Sequence, residues 1–121
     1  MATVVVVDDE TINADALAVM LALEGIRTIT AADGAEGLRI IAAEKPDAVI
    51  TDFMMPIMSG LEMAKAMRAD SLLAKIPLVL LTAAQAEIGY RHPDLFDAVF
   101  KKPCAPGHVI ARLLELMARS A

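Results

Sequence analysis

VITDFMMPIMSG, residues 49–60, is the stretch on which the fold turns. A β-branched and apolar run reads as a buried strand and stops on one carboxylate, Asp52. Pro56 interrupts any continuation, and Ser59 followed three residues later by Glu62 is the pairing that opens a helix, running to about Ala69 with Leu61, Ala64 and Met67 on its apolar side. The unit is therefore strand, loop, helix, with a lone acid at the strand's carboxyl end.

The same unit recurs in both directions along the chain. TVVVVD (3–8) is short, β-branched and without alternation, as expected of a central strand buried on both faces. Leu17, Met20 and Leu21 then recur at helical spacing between Asn13 and Glu24, and Gly25 supplies a stop. IRTIT (26–30) reads as a second, more exposed strand. Asp33 with Glu36 opens a helix that Pro46 must end. DAVIT (47–51) leads into Asp52. Downstream, IPLVLLT (76–82) is a fourth strand, residues 83–97 have room only for a short helix around Gly89 and Pro93, DAVF (97–100) is a fifth strand, and Pro106 to about Ala118 forms a last helix. Five strands alternating with five helices imply a parallel sheet covered on both faces, joined by right-handed crossovers.

Composition narrows the function classes. The 121 residues form one domain, 1–121, and their 57% hydrophobic content supports a packed core without metals or disulfides. A net charge of −5 and only 3% aromatic residues argue against a nucleic-acid partner. A single Cys104 forms no internal disulfide, no apolar run reaches the roughly 18 residues of a membrane span, and acids stand where a signal peptide would be apolar. These features lead to the expectation of a cytoplasmic protein.

Polar residues gather where the strands end: Asp8 and Asp9 after the first, Asp52 after the third, Thr82 at the fourth, Lys101 and Lys102 after the fifth. Any one alone reads as a solvated turn residue. Open parallel sheets, however, bind ligands in the crevice beyond their carboxyl ends. Three carboxylates meeting there repel unless a cation joins them, and oxygen-only ligands favour magnesium or manganese over zinc. A lysine and a hydroxyl can hold phosphoryl oxygens, which leaves Asp52 as a nucleophile able to form an acyl phosphate.

VVVVDDE, ITDFMMPIMSG, LVLLTAA and FKKP, in that order and at fitting intervals, resemble the receiver domain of two-component response regulators over essentially the whole chain. The resemblance implies an α/β, flavodoxin-like (β/α)5 doubly wound fold with strand order 2-1-3-4-5, an order the general description of such folds gives for a member of this family. It implies a phosphoacceptor rather than an enzyme, with Asp52 phosphorylated by a sensor histidine kinase or a histidine phosphotransfer protein. It further implies magnesium bound by Asp9, by Asp8 largely through water, by Asp52 and by the backbone carbonyl of Met54, with Thr82 and Lys102 contacting the phosphoryl group and a cis Lys102–Pro103 bond. Chain length leads to the expectation of a single-domain regulator that docks on a downstream protein target or passes phosphate onward.

Two departures carry consequences. The aromatic residue that the family places three positions before the lysine is Val99 here, and Phe100 faces the other side of its strand, so the usual aromatic switch is not expected. The fourth helix should be small. Ser59 and Cys104 replace the family's frequent Asp and bulky apolar residue. Two rival readings remain: a haloacid dehalogenase-type phosphatase, which lacks its second acid because Met54 stands there, and an unphosphorylated docking module, against which the intact acids, Thr82 and Lys102 argue. His92 and His108 lack ligand spacing, and the methionines fit core packing apart from Met54, whose side chain is placed to shield an acyl phosphate.

Overall fold

The computed structural model describes residues 1–120. Its sheet is parallel throughout, in the order β2-β1-β3-β4-β5. The strands are β1 (Thr3–Val7), β2 (Arg27–Ala31), β3 (Ala48–Thr51), β4 (Leu78–Thr82) and β5 (Ala98–Lys101), and the helices are α1 (Thr11–Leu23), α2 (Gly34–Glu44), α3 (Gly60–Ala69), α4 (Ala86–Tyr90) and α5 (Pro106–Ser120). The three inner strands are the unbroken apolar runs, and β3 and β4 are buried at every residue. Polar residues enter at the edges, as in RTITA of β2 and AVFK of β5.

Alternation along each strand divides the core in two. Val4, Val6, Ala48, Ile50, Val79 and Leu81 point to the layer of α1 and α5, where Leu17, Leu21, Val109 and Leu113 meet them. Val5, Val7, Val49, Leu78 and Leu80 point to the opposite layer, with Ile41 of α2 and Met63 and Met67 of α3. Both methionines are fully buried, each worth about 1.5–3 kcal/mol of transfer from water. The order in which strands are added reverses between β1 and β3, and Asp52 donates its amide to the Val7 carbonyl at 2.9 Å. That bond sets the third strand's acid beside the first strand's acids.

Helix starts follow side-chain chemistry. Asp33 accepts from the Glu36 amide at 2.8 Å, and Ser59 and Glu62 exchange both bonds of a capping box at 3.1 Å. Neither cap is shared by α4, which begins without a side-chain bond. Element ends shift slightly from expectation. α1 starts at Thr11 rather than Asn13, and β4 starts at Leu78, because Pro77 has no N–H for the ladder although its carbonyl accepts from Val49 at 2.9 Å. Ile26 leaves β2 to turn into the core, donating to Leu21 at 3.1 Å.

Two features of the helix–strand connections had no signal in local sequence. Arg68 of α3 spends its guanidinium on backbone: its Nη1 donates to Ala74 and Ile76 at 2.9 and 2.7 Å, its Nε and Nη2 to Leu95 at 3.1 and 2.9 Å. Its Nη2 also pairs with Asp97 at 3.0 Å, whose carboxylate accepts from the Leu78 amide. One side chain thus fixes the entry to β4 and the entry to β5. The second feature is Ile57, whose φ of 69° places a β-branched residue in the left-handed region, a conformation costing about 1–2 kcal/mol for an L-residue.

Candidate phosphoacceptor site

The crevice over β1 and β3 holds the acids. Asp8 is buried, and its Oδ1 accepts from the Glu10 amide at 2.9 Å, which turns the chain from β1 into α1. Asp52 is held just as firmly: its Oδ1 accepts from the Phe53 amide at 2.7 Å, and its carbonyl accepts from the Thr51 hydroxyl at 2.8 Å. A Cβ built on Gly60 would collide with that same carbonyl, so the start of α3 can close on Asp52 only with glycine there. Asp9 is exposed at the mouth. One carboxylate oxygen from each of Asp8, Asp9 and Asp52 lies within 4.8 Å of the others.

Lys102 reaches this cluster from the far side of the sheet. Its amide donates to the Thr82 carbonyl at 2.8 Å, and the Lys102–Pro103 bond is cis, as the resemblance implied. The ammonium lies 3.4 Å from Asp8 Oδ2 and 3.6 Å from Asp52 Oδ2. Burial pulls the lysine's pKa down, but the charges of Asp52 and then Asp8 outweigh it and move the pKa up. Burial dominates at Asp52 and pushes its carboxyl above the ordinary value, with the Asp8 charge adding to it, while the Phe53 amide and Lys102 oppose both. One lysine, set against two of the three clustered carboxylates, leaves an excess of negative charge in the crevice. Hard oxygen ligands with that excess fit a divalent cation.

Thr82 is buried at the end of β4, paired in register with Lys101. Lys101 itself is exposed, whereas Lys102 faces inward. Met54 lies in the loop after Asp52 with its side chain 61% exposed. Val99 packs on the side of α2, α3 and α4, and Phe100 on that of α1 and α5, so the two do face apart. The space an aromatic residue at position 99 would need is taken by α4: a Cβ on Gly89 would lie 2.6 Å from Leu80 Cδ2 and 2.9 Å from Val99 Cγ2. Among the described residues no helix is long and apolar enough to cross a membrane.

The model of the response regulator receiver domain family matches residues 4–113. The probable transcriptional regulatory protein TcrX of Mycobacterium tuberculosis is 35% identical over 121 residues, covering 98% of this chain and 50% of its own. The chain thus spans about half the length of the curated relatives it matches. Among solved structures, the receiver domain of the Francisella response regulator 1452 superposes with a TM-score of 0.90 at 26% identity over all of both chains. The receiver domain of the Pseudomonas aeruginosa sensor histidine kinase PA1611, solved with a magnesium ion coordinated in its active-site cleft, gives 0.85 at 23% identity, over 97% of this chain and 98% of that one. With the strand order, the acidic crevice and the family match in agreement, the chain belongs to the response regulator receiver domain family of two-component signalling.

Proposed function

We propose that Asp52 is the phosphoacceptor of a two-component or phosphorelay pathway, taking a phosphoryl group from a phosphohistidine on a sensor histidine kinase or a histidine phosphotransfer protein. The observation that carries this reading is the meeting of Asp8, Asp9 and Asp52 within 4.8 Å, with Lys102 against two of them. A magnesium ion, or manganese with its similar ligand preference, would be held by Asp8, Asp9, Asp52 and the Met54 carbonyl and would neutralise charge on the phosphoryl oxygens.

The chain's own residues do the rest. The Phe53 amide and Lys102 fix the plane of the Asp52 carboxylate for in-line attack on phosphorus. Lys102 stabilises charge on a phosphoryl oxygen, and the Thr82 hydroxyl donates to another in the acyl phosphate. The chain accepts a group and changes its docking on a downstream protein, or relays the group, rather than turning over a substrate.

Intact mass after incubation with magnesium and acetyl phosphate tests this. Wild type should gain one phosphoryl group and Asp52→Asn none. No gain in wild type would overturn the reading and favour an unphosphorylated docking module.

A further inference from the structure

Ile57 combines a strained backbone with a side chain that the fold leaves mostly exposed. Its backbone lies in the left-handed region, where glycine or asparagine would sit more easily, and its side chain is 82% exposed. The loop around it imposes that backbone. Met58 donates to the Pro56 carbonyl at 2.7 Å, Gly34 donates to the Met58 carbonyl at 3.1 Å, and Gly60 donates to the Phe53 carbonyl at 2.8 Å. Residue 57 is thereby turned outward, five positions beyond Asp52. A strained residue whose side chain is mostly exposed points to a role outside the isolated fold.

The surroundings say what covers it. Met54 in the same loop and Ile12 in the first turn of α1 are also exposed, at 61% and 82%. Met54 stands two residues after Asp52 and Ile12 three after Asp9, which puts both at the rim of the crevice that holds Asp8 and Asp52, with Asp9 at its mouth and the exposed Glu10 and Asp15 in the same stretch of chain. A donor nitrogen must come in line with the Asp52 carboxylate at near-attack distance, about 3–3.5 Å between reacting atoms. When that nitrogen belongs to a protein, the protein's body lies over this rim. An apolar rim around an acidic floor fits a donor surface with apolar side chains flanked by lysine or arginine.

We infer that Ile57 is a specificity-determining contact for the protein phosphodonor, pressed against an apolar side chain of the donor while the histidine reaches Asp52. The inference rests on the reading of Asp52 as phosphoacceptor. In the transfer an Asp52 oxygen forms the P–O bond as the P–N bond to imidazole breaks, and the nitrogen keeps the electron pair and takes its proton from solvent. Ile57 touches none of these atoms; it sets how well the donor is seated.

The test compares two donors with the same type of scissile bond: phosphoramidate, which has no protein body, and autophosphorylated sensor-kinase cytoplasmic fragments, screened as a panel for transfer to wild type. Ile57→Gly and Ile57→Asn should accept from phosphoramidate within about twofold of wild type and melt no lower, because both tolerate the left-handed backbone. Transfer from the fastest kinase fragment should fall about tenfold in kcat/KM, through KM, as expected for losing one central apolar contact. Ile57→Leu should keep the kinase rate. Unchanged kinase transfer in the Gly and Asn variants would overturn the inference, as would an equal fall with both donors, or a wild type that takes phosphate from phosphoramidate and from no kinase fragment. A wild type silent to phosphoramidate would instead bring down the phosphoacceptor reading itself.

Discussion

The passages from β3 into α3 and from β4 into α4 join the same kinds of element and are held in opposite ways. After β3 the chain is fixed locally: the Phe53 and Gly60 bonds, the capping box of Ser59 and Glu62 and a ten-residue helix all lie within 18 residues of Asp52. After β4 the helix is five residues long and lacks a side-chain cap. It is seated by the close approach of Gly89 to Leu80 and Val99, and its exit is tied down by Arg68, 27 residues from Leu95. The passage after β3 is held mainly by bonds within itself, with Gly34 closing on Met58 from α2, whereas the passage after β4 depends on distant ones. Chemistry and the neighbouring surface can therefore be perturbed separately.

Arg68→Ala is the strongest way to break this contrast. It takes the donor from the carbonyls of Ala74, Ile76 and Leu95 and leaves the Asp97 carboxylate with the Leu78 amide alone, and should cost about 2–4 kcal/mol in urea unfolding. Amide exchange should quicken in residues 86–97, while phosphoryl uptake from acetyl phosphate, measured where the variant is folded, stays within about twofold. Uptake that collapses with Arg68→Ala would mean that the two passages are one unit.

Gly60→Ala should do the reverse. Its Cβ pushes on the Asp52 carbonyl, so the stability loss, about 1–3 kcal/mol, is the smaller, while uptake falls on the order of tenfold because the carboxylate is displaced. Unaltered uptake would show that the fixed loop is not what aims Asp52.

The smallest effect sharpens the electrostatics of the first passage. Burial raises the Asp52 pKa above its unfolded value, so between the two values the folded state binds more protons and stability falls as pH rises. In metal-free solution Asp52→Asn should therefore melt a few degrees above wild type at pH 7, and the gap should close as pH falls below the ordinary carboxylate range. A gap that persists in acid would assign the effect to packing rather than charge.

Much of this was readable in the chain because it is local. VVVV and LVLL announce doubly buried strands, Ser59 with Glu62 announces a helix start, and acids at successive strand ends meet once the strands are parallel. The lysine facing inward was legible through its neighbour Pro103. What escaped is what needs the third dimension. The left-handed backbone at Ile57 is imposed partly by Gly34, 23 residues earlier, against the preference of a β-branched residue. Arg68 looks like an ordinary helix-end cation until carbonyls from two distant segments arrive around it. The seating of α4 depends on Gly89 meeting Val99, whose lack of an aromatic ring was visible but whose contact with a helix backbone was not.

The most direct test of the central claim is to locate the acyl phosphate. Wild type incubated with acetyl phosphate and magnesium, then reduced with borohydride and mapped by peptide mass spectrometry, should carry homoserine at position 52 and aspartate at positions 8 and 9, with no conversion when the metal is chelated. Homoserine at position 8 or 9, or phosphate on a residue outside the crevice, would contradict the account.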